Sequence, residues 1–293
     1  MKKPNGKVKN KISKKSLQGI KNIVVISDIH SGCQLALMPP TVTLDSGGKF
    51  HQSHLQKKLW EYWKFFWETW VPRVTKGEPY VIVFNGDAIE GSHHGAVTQI
   101  TQNIKDQVQI AYDLLKPQID KPKCKGLYFI KGTEAHVGKS GQAEEGLAKA
   151  LGAIPDEIGN HARWEMFMRI DKYLAHFTHH TSSTSSASYE TTGVWKEFIE
   201  ACVESARQGF EVPDVIVRSH RHRECTIPVS SSKGSSVVHI SPSWQLKTPF
   251  VYKLGMKIAS PQIGGSCIKV HDEDGVYILK KVWHIERPKT VVI

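Results

Sequence analysis

The stretch Lys21–His30, KNIVVISDIH, decides how the chain is read. Its first seven residues are a short, β-branched, apolar run without alternation. Such a run reads as a strand buried on both faces, the kind found in parallel sheets. It stops at Asp28, and His30 follows two places later. In α/β sheets the loops at strand C-termini converge on one crevice, so a carboxylate and an imidazole here stand where ligands gather. Side chains two apart on an extended segment share a face, so both can reach one cation.

The same arrangement recurs downstream. Tyr80–Phe84 (YVIVF) is a second buried run, and it ends at Asn85, Gly86 and Asp87. Gly86 lets the backbone turn tightly and bring the carboxylate inward, where its two oxygens suit a bridge between two ions. Gly126–Ile130 (GLYFI) is a third, ending at Lys131-Gly132-Thr133-Glu134-Ala135-His136. A strand within Met166–Thr178 ends at His179 and His180, and Val215–Arg218 ends at His220-Arg221-His222. His220 and His222 repeat the two-apart spacing, with one imidazole for each ion.

Helices fill the gaps. His54–Val74 carries Leu55, Leu59, Tyr62, Trp63, Phe66, Trp67 and Trp70 mostly on one face and is expected to end at Pro72. This aromatic stripe reads as core rather than as a base-stacking platform. Val97–Leu115, closed by Pro117, Gly141–Leu151 and Val194–Gln208 are further helices, while Ser31–His54 and Thr181–Thr192 read as loops. Ser236–Ser241, Ser266–His271 and Val276–His284 alternate apolar and polar residues and predict antiparallel strands. The expected fold class is α/β, with two mixed sheets packed face to face and helices outside.

Composition bounds the chemistry. The 293 residues are 40% hydrophobic, enough for one core, and no apolar run is long enough to span a membrane. With no secretory leader visible, the expected location is cytoplasmic. Five scattered cysteines (Cys33, Cys124, Cys202, Cys225 and Cys267) form neither a disulfide framework nor a thiolate zinc site. A metal must then be held by imidazole, carboxylate or amide groups, and there are 15 histidines to supply them. The net charge is +11, yet eight lysines fall within the first 21 residues, which contain no acid; removing them leaves +3 for the rest. Residues 1–20 are therefore read as a flexible basic tail that attracts DNA or RNA, and 21–293 as a single domain.

Taken singly, Asp-x-His, Gly-Asp and His-x-His are weak signals; their shared order at strand ends is a strong one. In that order SDIH (27–30), NGDAIEG (85–91), KGTEAH (131–136), THH (178–180) and SHRH (219–222) span about two thirds of the chain. Together they resemble the calcineurin-like metallophosphoesterases of the stand-alone bacterial and phage type. The resemblance implies two divalent ions, manganese first, with iron, zinc, nickel or magnesium as alternatives. It gives one ion to Asp28, His30, Asp87 and His222, and the second to Asp87, His179 (or His180) and His220, with Asp87 as the bridge.

Two segments depart from the family pattern. Ser219 replaces a Gly, and Thr133-Glu134 stands where the family has Asn-His. The expected repair gives the second ion an oxygen of Glu134 or Thr133 and gives His136 the role of acid to the leaving group. Asn85, His93, His94 and Arg221 are candidate phosphate contacts. The implied activity is hydrolysis of a phosphoester by activated water, on a nucleotide or nucleic-acid diester. Three alternatives stand beside it: a phosphomonoesterase, a non-catalytic interaction protein on the same fold, and a nucleic-acid-binding protein without chemistry.

Overall fold

A computed structural model describes residues 17, 19–93, 95–181, 187–231, 234–253, 260–271, 275–285 and 290–292. In chain order the elements are β1 (Asn22–Ile26), β2 (Thr41–Thr43), β3 (Lys49–His51), α1 (His54–Phe65), a π-helical turn (Phe66–Trp70), α2 (Val71–Val74) and β4 (Tyr80–Asn85). Then come α3 (Ile104–Ile119), β5 (Cys124–Ile130), α4 (Glu134–Val137), α5 (Gln142–Leu151), β6 (Ala162–Arg163), β7 (Glu165–Ile170) and β8 (Tyr173–Thr178). The chain continues with α6 (Glu190–Gln208), β9 (Val215–Arg218), β10 (Cys225–Ser231), β11 (Gly234–Ile240), α7 (Pro249–Lys253), β12 (Gln262–His271) and β13 (Gly275–His284).

The strands form two mixed sheets, in the orders β13-β12-β1-β4-β5-β6 and β10-β11-β9-β8-β7. β1, β4, β5 and β6 run parallel, and so do β8, β9 and β11, so their C-terminal ends point one way within each sheet. Alternate residues of the central strands face different layers, as the two-residue period demands. Ile23, Val25, Val81, Val83, Phe177, Val215 and Val217 meet in the core between the sheets. Val24, Ile26, Ile82 and Phe84 face the opposite way, onto α1, α3 and α5. Ile216, Val238 and Ile240 pack under Val194 and Phe198 of α6. The layers are therefore helices, sheet, sheet, helix, as the sequence led one to expect. Among the described residues no helix is long and apolar enough to cross a membrane.

Several boundaries differ for physical reasons. Pro72 does not end the first helix. A wide turn, in which the Val71 N–H donates to Phe66 O, puts Pro72 in the opening turn of α2, where its missing N–H leaves no gap. Trp63, Phe66, Trp67 and Trp70 of this segment are all buried, so the aromatic stripe is core. Helix α3 starts seven residues later than expected, behind the Asn103 cap, and runs through Pro117 to Ile119. Leu17 and Ile20 pack against the core between the sheets, so the fold begins before residue 21. Residues 1–16 and 18 of the expected tail, and 182–186 of the Ser/Thr-rich loop, lie outside the described residues.

Candidate metal centre

The ligand candidates sit on the loops that leave β1, β4, β5, β8 and β9, all at strand C-termini. Their convergence has a different cause from the one read in the sequence. Asp28, His30, Asp87, His220 and His222 do not continue the strands. Each adopts a left-handed backbone, with φ of 51°, 42°, 56°, 69° and 55°. Among the described residues only Lys76 and Asp171 share this conformation without being glycine. Each such residue costs on the order of 1–3 kcal/mol, so surrounding contacts must enforce it. Loop zipping does so: Asp28 N–H donates to Gly86 O (2.9 Å), His30 N–H to Asp87 O (3.1 Å), and Trp244 N–H to Asp28 O (3.0 Å).

Two glycines allow the close approach. A Cβ on Gly86 would lie 2.3 Å from His179 Nδ1, and one on Gly132 would lie 2.1 Å from Asp87 Oδ1 and 2.3 Å from Asp87 N. No side chain fits at either place without moving a candidate ligand.

Asp87 is central and fully buried. Its Oδ2 lies 3.0 Å from His179 Nε2, 3.9 Å from His220 Nδ1, and 4.0 Å from both His30 Nε2 and His136 Nε2. Asp28 Oδ1 lies 3.3 Å from His222 Nε2 and 3.9 Å from His30 Nε2 and from His179 Nε2. Among the described residues three groups converge closely enough to hold a cation: Asp28-His30-His222, His30-Glu90-His136 and Asp87-His179-His220. The first holds three of the four residues expected at one ion and the third holds Asp87, His179 and His220 expected at the other, with Asp87 Oδ2 4.0 Å from His30 of the first group.

The donor atoms fit a cation. Asp28 Oδ1, Asp28 Oδ2 and His179 Nε2 are buried without a hydrogen-bond partner, a costly condition unless something positive sits among them. His179 Nδ1 is 2.7 Å from the Asn85 carbonyl, which only accepts, so Nδ1 carries the proton and Nε2 offers a lone pair. His30 Nδ1 lies 3.2 Å from Glu90 Oε2, and His30 Nε2 lies 3.0 Å from His222 Nε2. Two ring nitrogens face to face need a proton or a metal ion between them. Without a cation, protons take its place. Against the penalty of burial, Asp87 and Asp28 push the His179 imidazole up to about 10. Against the same penalty, His179 holds both carboxylates below their ordinary range.

In the altered third segment Thr133 contacts Asp87. Thr133 N–H donates to Asp87 Oδ1 at 2.7 Å, and its hydroxyl lies 3.2 and 3.4 Å from the two carboxylate oxygens. Glu134, the ligand expected from the sequence, opens α4, is exposed, and is not brought into any of the three groups. Glu134→Ala is expected to leave metal stoichiometry unchanged and affinity within about twofold, since exposed charges act weakly at this range; elemental analysis after dialysis checks it.

His136 is brought to the centre, with Nδ1 2.6 Å from Glu90 O and hence protonated, and with Nε2 facing Asp87. Burial and the positive charge of His30 push it down to about 4. A bound dication would act in the same direction as that imidazolium, so Nε2 presents a lone pair at neutral pH. The acid role expected of His136 would need a proton on that nitrogen. His180 is exposed while His179 is buried, which separates the two. Asn85 does not face the centre as a phosphate contact: its amide donates to Thr178 O (3.0 Å) and Ser219 Oγ (2.7 Å), stapling the strand ends. Arg221 lies beside Glu190 at 3.7 Å, and His93 beside Glu90 at 3.5 Å; His94 lies outside the described residues.

Two carboxylates escaped the sequence reading. Glu90 lies in NGDAIEG, buried, touching His30 and accepting from Gln245 Nε2 at 2.8 Å. Its position three residues past Asp87 was the available signal. Glu144 of α5 is wholly buried, accepting from Ala88 N–H (2.7 Å) and Gly132 N–H (2.6 Å). It ties the Asp87 loop to the Thr133 loop.

Donor side chains lie at the strand ends in this order, on two mixed sheets with helices outside, so the fold class is the α/β sandwich expected. No protein-family model and no curated protein matches the chain. Solved structures of similar fold include Vps29 of Chaetomium thermophilum (11% identity, 90% of this chain and 97% of that one, TM-score 0.40). A predicted phosphoesterase of Streptococcus pneumoniae TIGR4 matches at 11% identity over 90% of this chain and 97% of its own, with TM-score 0.35. A sulfate thiohydrolase, SoxB of Thermus thermophilus, matches at 10% identity over 89% of this chain and 56% of its own, with TM-score 0.40. At such identity and overlap the likeness carries no argument about activity.

Proposed function

We propose that the chain is a metal-dependent phosphoester hydrolase acting on a nucleotide or nucleic-acid diester. The observation that carries this reading is the pair of donor groups meeting at Asp87, with buried Asp28 and His179 atoms that have no other partner. Asp28, His30, His222 and Asp87 would hold one divalent ion, and Asp87, His179 and His220 the other, with manganese the first candidate. When bound, the ions supply Lewis acidity, activating a water and neutralising charge on phosphate oxygens.

The chain's own groups do the rest. Thr133 N–H fixes Asp87 chiefly through Oδ1, while Oδ2 faces the histidines. Glu90 fixes the His30 tautomer, and Asn85 O fixes that of His179. His136 Nε2, neutral and partly buried, is placed to accept a proton or hydrogen bond from a group entering the centre. Thr133's contact with Asp87 also weakens the case for a non-catalytic protein, which rested on the altered loop. The lysines among the first 21 residues favour a polyanionic substrate, with affinity that falls as salt rises.

The test is a screen of the metal-stripped and reloaded protein. Its substrates are bis-p-nitrophenyl phosphate, a monoester, cyclic nucleotides, and single- and double-stranded DNA and RNA. Two ions per chain, diester hydrolysis on reloading and its loss in chelator are expected. Full activity in chelator, or no hydrolysis with any divalent ion, would overturn the reading.

A further inference from the structure

His220 and His222 both take a left-handed backbone, which a residue with a Cβ keeps only when its surroundings enforce it. Backbone bonds tie the turn after β9 at two places. Ser219 N–H donates to His179 O (2.9 Å), and Gln262 N–H donates to His222 O (2.8 Å). Two further side chains of this turn meet a single acid. Arg223 Nε lies 3.0 and 3.4 Å from the two carboxylate oxygens of Glu190, and Arg223 Nη2 lies 3.4 Å from Oε2. Arg221 Nη2 lies 3.7 Å from Glu190 Oε1, and Arg221 Nη1 donates to Glu190 O at 3.3 Å. Arg223 Nη1 also donates to Ser260 O (3.0 Å), shortly before β12.

Glu190 is the first residue of α6, and that helix is anchored to the second sheet through Val194 and Phe198. A second acid of the same helix, Glu197, accepts from Arg218 Nε at 2.8 Å, and Arg218 ends β9. The helix therefore holds the chain on both sides of Ser219. The side chains of Glu190, Arg221 and Arg223 are 16%, 16% and 27% exposed, so water and salt screen their contact less than they do a surface pair. Glu224, the next acid along the chain, is engaged by Lys280 (2.6 Å) and the Thr226 hydroxyl (2.5 Å). One carboxylate thus serves two guanidiniums, whose planar forks fix direction as well as distance.

We propose that Glu190 is a positioning residue for the metal centre, bracing through Arg221 and Arg223 the turn that presents His220 and His222. The proposal rests on the two-ion reading of that centre. Arg221 lies between the two histidines and Arg223 directly follows the second, so movement of either guanidinium is passed to a ligand's backbone. His222 Nε2 stands 3.3 Å from Asp28 Oδ1, and His220 Nδ1 stands 3.9 Å from Asp87 Oδ2. Metal–ligand distances tolerate only about 0.2 Å, so slack in the turn is felt as lost affinity. The turn supplies one imidazole to each ion, and both binding steps depend on the brace.

Calorimetric manganese titration of the metal-stripped full chain tests the brace, with melting in chelator confirming that each variant folds. Glu190→Gln and Arg223→Gln should each weaken manganese binding by about tenfold, the low end of what supporting residues contribute at metal sites. Their signs separate positioning from charge. Removing an acid near a dication weakens its binding through the field alone, whereas removing an arginine strengthens it. A loss in both variants supports the brace. A loss in the first with a gain in the second, or no change in either, overturns it. The double variant should match Glu190→Gln, because both substitutions break one contact; fully additive losses overturn the brace as well. If Glu190→Gln does not fold, Arg223→Gln decides alone: weaker binding supports the brace, and equal or tighter binding overturns it. The unsubstituted chain reports on the two-ion reading separately. Two ions bound there, with the variants unaffected, leave that reading intact and remove the brace. No ion bound there removes both.

Discussion

Asp87→Asn should lower turnover of bis-p-nitrophenyl phosphate by on the order of 10³-fold, the loss expected when several kcal/mol of transition-state stabilisation disappear. The substitution is nearly isosteric, so the fold should survive it. What changes is the donor set. Oδ2 is the atom approached by His179, His220, His30 and His136, while Oδ1 is occupied by Thr133 N–H. An amide can present only one oxygen. If that oxygen keeps the Thr133 contact, an NH₂ group faces four ring nitrogens and any ion among them. If it turns the other way, two N–H groups oppose each other at Thr133. Either orientation removes the shared anionic donor, so metal content should fall from two ions per chain to one or fewer. Turnover within threefold of wild type, with two ions retained, would show that Asp87 does not bridge.

The layers of this fold were legible because their signals are local. Runs such as Tyr80–Phe84 and Val215–Arg218 are apolar, β-branched and bounded by polar residues, and the strands lie there. The order of Asp28, His30, Asp87, His179, His220 and His222 could be read for the same reason, since each follows such a run directly. Other features depend on groups far apart in sequence. The left-handed turns at Asp28 and His30 are enforced by Gly86 O and Asp87 O across the sheet, and no pattern within SDIH records that. Thr133 and Glu134 are both oxygen donors, and only the start of α4 decides which one faces Asp87. Strand β10 carries Pro228 and was missed, because proline speaks against a strand unless its neighbours tolerate the lost donor. Glu144 follows the same logic. It stands beside Glu145 in the first turn of a helix, where acids are commonplace because they complement the positive end of the helix dipole. Nothing in the sequence separates that bland role from a buried clamp.

Glu144→Gln tests that clamp, and its two expected effects have opposite signs. Desolvation and the charge of Asp87 push Glu144 up to about 7 from an ordinary 4.5, even though two backbone N–H groups favour its ionised form. In the metal-free protein the folded state therefore retains a proton between those values that the unfolded state has released. The stabilisation is full below pH 4.5 and is lost as pH rises towards 7, amounting to ~3 kcal/mol. Glutamine cannot ionise, so the variant should lack this pH dependence. It should match wild type near pH 4.5, where protonated Glu144 likewise has one oxygen unable to accept freely. Near pH 8 without metal it should be more stable than wild type, by up to about 3 kcal/mol less whatever the lost N–H contact costs. Bound dications reverse the balance: they neutralise Asp87, let Glu144 ionise, and make both of its amide contacts strong. Losing one contact then loosens the Ala88 and Gly132 loops that carry Asp87 and Thr133, and metal affinity should fall by about 10- to 100-fold. Denaturant melts in chelator at the two pH values, paired with a calorimetric manganese titration, read the two effects separately. A flat pH profile in wild type removes the titration argument. Unchanged metal affinity in the variant removes the clamp.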